Sequence, residues 1–131
     1  MEKEIRNSAE TIEGENIVRA EIEKQKEPEI LLLEQDLPWD YVVSKFKNIK
    51  CVIYPESDQN AWCAEFAKDN PKDFTTNRGE FNPEWKGLRD EELRRVSGVA
   101  GAIFCHRGGF FAVAKTKESA IEMALLSLKK N

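Results

Sequence analysis

The chain predicts an α/β (α+β) domain: a five-stranded mixed sheet with helices packed on it, preceded by an N-terminal helical segment. Three observations carry that expectation. Five apolar runs of four or five residues lie between Ile30 and Ala114, each bounded by turn chemistry, which is how short buried strands read. Two segments, one after Pro38 and one after Thr116, place apolar side chains at helical spacing. The two kinds alternate as β-α-β-β-loop-α-β-β-α, an order that packs helices against one sheet.

The elements follow in turn. Ile5, Ile12, Ile17, Val18 and Ile22 are loosely spaced for a helix that Gly14 interrupts and Pro28 ends. Ile30-Leu31-Leu32-Leu33 reads as a strand buried on both faces. Pro38 opens a short helix with Trp39, Val42, Val43 and Phe46 on one face. Cys51 to Tyr54, stopped by Pro55, and Trp62 to Phe66 form a hairpin around the turn residues Ser57-Asp58-Gln59-Asn60. Residues 68–84 are polar and aperiodic, and so long a loop in a small domain is more often functional than idle. Asp90 is placed as an N-cap, with Glu91 and Glu92 in the positive first turn, and Gly98 or Gly101 ends that helix. Ala102 to Cys105 and Phe110 to Ala114 make a second hairpin around Arg107-Gly108-Gly109. Thr116 caps a last helix whose apolar face holds Ala120, Ile121, Met123, Ala124, Leu125 and Leu128.

Charge divides the chain in two. Residues 1–29 hold five Lys or Arg against nine Asp or Glu, whereas 30–131 hold 15 of each. The acidic excess therefore belongs to a linker or helical segment, 1–29, and the folded domain, 30–131, is neutral. A neutral domain has no basic surplus for long-range phosphate attraction, although a local basic pocket stays open to it. No run is long and apolar enough for a membrane span, and the polar, acidic N-terminus is no signal peptide. Cys51, Cys63 and Cys105 sit in apolar runs without zinc spacing. They read as buried free thiols in a reducing, intracellular and most simply cytoplasmic setting.

Candidate site residues gather late in the chain. Trp85-Lys86-Gly87-Leu88-Arg89-Asp90 runs directly into a helix, and Ala102-Ile103-Phe104-Cys105 ends on the sole histidine, His106. His106 beside Gly108 and Gly109 is either a ligand-facing group next to approachable backbone N–H groups or a strand residue before a hairpin turn. Arg89 is either a ligand arginine held by Asp90 or a surface residue before a helix cap. Arg78 in the long loop carries the same two readings. Lys115 and Thr116 make either a phosphate site at a helix start or an ordinary capped helix. Trp85 reads first as a loop anchor. No acid/base carboxylate couple and no Ser-His-Asp set can be named, and one histidine is few for a hydrolytic metal centre.

From Ile30 onward the chain resembles the C-terminal region of the melanocyte-proliferating-gene (Myg) family of DHH-like phosphohydrolases. The likeness rests on Ile30 to Gln35 with Pro38-Trp39, Val52-Ile53-Tyr54-Pro55, Trp62, and Phe74 to Arg78. It continues through Trp85-Lys86-Gly87-Leu88-Arg89-Asp90-Glu91-Glu92-Leu93, Val96-Ser97-Gly98, Ala102 to His106, and Phe110 to Ala120. The resemblance implies a metal-dependent 3′-5′ RNA exonuclease family whose N-terminal domain carries the metal cluster. Its C-terminal accessory domain would hold the substrate. It further implies Arg78, Arg89, His106, Gly108, Gly109 and Lys115 as substrate contacts, with Trp85, Asp90 and Thr116 in supporting positions. A divalent metal such as manganese is implied for a full-length member and no cofactor for this chain, which has no Asp-His-His string. Val113 stands where the family shows glycine. The expected function is a substrate-binding accessory domain, in a truncated or split chain, that binds a nucleotide or short RNA weakly and does not cleave it. By the resemblance, residues 1–29 would correspond to a linker helix between the two domains. The alternative is an interaction module with no ligand of its own, which docks through residues 1–29 and its strand faces on a separate DHH-type metal domain or on itself.

Overall fold

The computed structural model describes residues 8–56 and 60–130. Ile5 and most of the Ser57–Asn60 turn lie outside the described residues. The elements are α1 (Ser8–Lys24), β1 (Ile30–Leu32), α2 (Asp40–Ser44), β2 (Cys51–Pro55), β3 (Trp62–Phe66), α3 (Asp90–Ser97), β4 (Ala102–Cys105), β5 (Phe111–Ala114) and α4 (Lys117–Lys130). Two 3-10 turns, Phe74–Thr76 and Pro83–Trp85, punctuate the long loop. The sheet is five-stranded and mixed, in the order β1-β2-β3-β5-β4. β1 runs parallel to β2, and the other neighbours are antiparallel.

One face of the sheet carries small side chains so that a helix can lie close. Ala64, Ala112 and Ala114 face α4, whose Ala120, Met123 and Ala124 are fully buried against them. Phe66, Phe81 and Trp85 extend this core, Phe66 meeting Phe81 edge-on at 4.9 Å. Among the described residues, the other face is covered only over β1 and β2. There Val18 and Ile22 of α1 pack with Leu31, Leu33, Trp39, Val42, Val43 and Val52. Leu31 and Leu33 thus point to one core while Ile30 and Leu32 pack on the other, as a strand buried on both faces requires.

α1 runs through Gly14 without a break. A Cβ at Gly14 would lie 2.7 Å from Pro38 Cδ, so the glycine permits close approach of α1 to the start of α2 and does not end the helix. The helix stops at Lys24, ahead of Pro28, where Lys26 and Glu27 take positive φ. The Gln25 amide then pairs with both backbone groups of Leu32, at 2.8 and 3.1 Å, closing the outer edge of β1 as a neighbouring strand would.

Three local expectations need correction. Pro55 does not precede the end of β2 but is its last residue, in register with Trp62. α2 is only five residues long, so Phe46 packs on the core from beyond its end. Asp90 is not an N-cap: Arg89 holds that position in extended backbone with no side-chain cap bond, and Asp90 enters the helix with φ +52°. Arg89 is extended because it pairs with Phe104 at the edge of the sheet. Gly98 ends α3, its N–H donating to the Arg94 carbonyl. Thr116 caps α4 as read, accepting from Ser119 N–H at 3.1 Å.

Candidate functional site

Over β3, β5 and β4 no helix among the described residues lies on the second sheet face. Register assigns its side chains, because partners in adjacent strands share a face. One row runs Tyr54, Cys63, Val113, Phe104 and Arg89. The next runs Val52, Glu65 and Phe111, and His106 N–H donates to the Phe111 carbonyl at 2.8 Å. Phe104, Phe111 and Val113 are half-buried and belong to neither hydrophobic core.

The chain from Gly87 to Arg89 lies along β4 and brings Arg89 to this face. Gly87 N–H donates to the Cys105 carbonyl, and Cys105 N–H donates to the Leu88 carbonyl. Trp85 anchors that segment, 2% exposed and stacked on Phe81 at 6.3 Å. Arg89 then sits over the Phe104 ring, 5.4 Å from its centroid, with Asp90 accepting from Nε at 3.3 Å. Guanidinium and ring form an exposed, ordered cation–π pair. His106 meets Phe104 edge-on at 6.2 Å and approaches Phe110 at 5.4 Å. Its Nδ1 accepts from Gly108 N–H at 2.9 Å, which leaves Nε2 as the donor of the neutral ring. Gly109 has φ +82°, and a Cβ there would lie 2.5 Å from Lys86 Cε; only glycine fits where this hairpin meets the Glu80–Lys86 pair. Arg89, Phe104 and Val113, with Glu56, Ala61 and Ile103, line a shallow cavity at the outer end of the face.

The inner end is polar. Glu65 faces Phe111 across the strands and accepts from the Tyr54 hydroxyl at 2.8 Å. Burial raises the Glu65 carboxyl above its usual range. The Tyr54 hydrogen bond pulls it back, nearby Asp40 pushes it up again, and Lys68 lowers it. Between the ordinary carboxylate value of 4.5 and that higher folded value, the native state holds a proton the unfolded chain has lost. Stability should therefore fall as pH rises through that window. Glu65→Gln should raise stability at neutral pH and flatten this slope, as denaturant titrations from about pH 4 to 8 would show.

The model of one family, described as an uncharacterised protein family (UPF0160) and labelled for the MYG1 exonuclease, matches residues 1–128. The chain belongs to the MYG1 family. A MYG1 protein of Schizosaccharomyces pombe is 34% identical over 88% of this chain and 37% of its own length. One from Saccharomyces cerevisiae is 39% identical over 79% of this chain and 32% of its own. The human MYG1 exonuclease is 38% identical over 59% of this chain and 20% of its own. The chain spans about a third of the length of the two yeast relatives. No solved structure matches it.

The MYG1 resemblance pointed to six contact residues, and the structure brings four of them together. Arg89 and His106 flank Phe104, with Gly108 and Gly109 in the adjoining hairpin. Lys115 is exposed beyond the end of β5, its N–H bonded to the Gly101 carbonyl. Arg78 lies elsewhere. Its side chain is 4% exposed and donates to Asp69 and to the carbonyls of Val43, Ser44, Phe46 and Ile49, which satisfies the end of α2 and the loop after it. Reasoning from sequence missed Phe104, Phe111 and Glu65. The strict alternation of Phe111-Ala112-Val113-Ala114 was the available signal, since small residues mark the helix-covered face and large ones the other.

Among the described residues, no three His, Cys, Asp or Glu side chains gather as a metal ion would require. All three cysteines are free and buried, and burial pushes the Cys63 and Cys105 thiols up to about 12. No described helix is long and apolar enough to cross a membrane.

Proposed function

We propose that this chain is the substrate-holding part of a MYG1-type nuclease, binding a nucleotide or the end of a single-stranded RNA on the open face of β3, β5 and β4. The observation that carries the reading is Phe104 and Phe111 on an uncovered sheet face, with Arg89 over the Phe104 ring and His106 edge-on to it. Aromatic rings on an open sheet stack bases, and adjacent cations or N–H donors hold phosphates. Several relatives carry the name exonuclease, which supplies the substrate class. Strand cleavage belongs to the part of the family protein that this chain does not match. The domain positions its substrate and performs no hydrolysis alone.

Binding of a short RNA should be weak, should fall with added salt, and should weaken further in Arg89→Ala and His106→Ala without loss of fold. Fluorescence anisotropy at two salt concentrations, with thermal melts of each variant, checks this. Binding unchanged by both substitutions would remove the site. Absence of binding would favour the other reading, a docking surface for the rest of a MYG1 protein. The exposed Ile12, Ile17 and Tyr41 on α1 and α2 would then be the contacts to pursue.

A further inference from the structure

We infer that Glu65 makes the open face selective for bases carrying an exocyclic amino group, so that it takes cytosine or adenine in preference to uracil. The inference rests on the reading of that face as an RNA platform and deepens it.

Glu65 and Phe111 are direct cross-strand partners, and such neighbours on one face stand about 5 Å apart. A base stacked on Phe111 therefore has one edge beside the Glu65 carboxylate. That carboxylate is fixed in place: Tyr54 donates to its Oε1, and the Tyr54 ring is held against Trp39 at 6.0 Å. The edge would enter a small half-enclosed cavity lined by Trp39, Asp40, Glu65, Lys68 and Pro71. Tyr54 engages Oε1 alone, so Oε2 is the oxygen offered to a base.

An ionised carboxylate only accepts hydrogen bonds. The 4-amino group of cytosine and the 6-amino group of adenine donate. Uracil presents the O4 carbonyl at the same position, with O2 on the far side of its single N3–H. Turned toward Glu65 and Asp40, O4 would set a further acceptor against two carboxylates, of which Glu65 already accepts from Tyr54, and the one donor on that edge, N3–H, lies between two carbonyls. A site built to accept from a donor rejects an analogue that lacks it. Lys68 lines the same cavity and stands 5.0 Å from the Phe110 ring centroid, so its ammonium is the donor a uracil O4 would have to reach.

Cytosine against uracil is the clean comparison, because the rings match in size and differ at the 4-position. The 131-residue chain should bind a cytidine pentamer about tenfold more tightly than a uridine pentamer by anisotropy. Glu65→Gln should bring the two to within about twofold, because its amide can turn either group to the base. Tyr54→Phe, which frees the carboxylate, should narrow the gap partway while Glu65 itself is kept. Melting of each variant verifies the fold. Equal affinity of the native chain for both pentamers would overturn the inference while leaving the platform intact. A cytosine preference that survives in Glu65→Gln would overturn it too. Failure to bind either pentamer would strike the platform itself, and this inference with it.

Discussion

Arg78→Ala should be among the most damaging substitutions outside the hydrophobic core, at about 3–5 kcal/mol of stability. One guanidinium satisfies four carbonyls, from Val43, Ser44, Phe46 and Ile49, and ties them to Asp69 across the loop. Alanine leaves the Val43 and Phe46 carbonyls only their backbone donors, Phe46 N–H and Ile49 N–H, and leaves the Ser44 and Ile49 carbonyls to such water as can enter. Arg78→Lys should recover little, because an ammonium cannot span carbonyls that a planar fork reaches in several directions. Urea denaturation measures both. A fall of less than about 1 kcal/mol for Arg78→Ala would show that the carbonyls are already hydrated. Arg78 would then be available for a ligand role after all.

The second large effect concerns binding, with the fold left in place. Phe104→Ala and Phe111→Ala should each weaken short-RNA binding by about 1–3 kcal/mol, the usual worth of one base stacked on one ring. Neither ring joins a hydrophobic core, so melting temperatures should move little. Phe66→Ala is the contrasting control: that side chain is fully buried and its loss should unfold the protein. If Phe104→Ala and Phe111→Ala left affinity unchanged, the open face would not be where bases lie.

What the sequence disclosed, and what it withheld, follows from the range of the interactions. The strands were legible because short apolar runs between turns report their own burial, and Thr116 was legible because a cap bonds three residues away. Gly14 was misread because its reason is Pro38, 24 positions on and in contact only after folding. The bonds of Arg78 were not legible because its carbonyl partners lie 29 to 35 residues back. Asp90 resembled a cap, but the pairing of Arg89 with Phe104 sets the helix entry by a tertiary contact. The candidate site was half legible. Arg89 and His106 stood out as polar residues without a folding reason. The rings between them did not, because Phe104 and Phe111 in a strand look like core until it is known that helices cover only part of that face.

The most direct test of the account is a heteronuclear NMR titration of this chain with a short single-stranded RNA at low salt. Shifts confined to Arg89, Phe104, His106, Gly108, Phe111 and Glu65, with Arg78 and α4 unmoved, are the expected result. Shifts centred on Lys115 and the start of α4, or none at millimolar RNA, would contradict it.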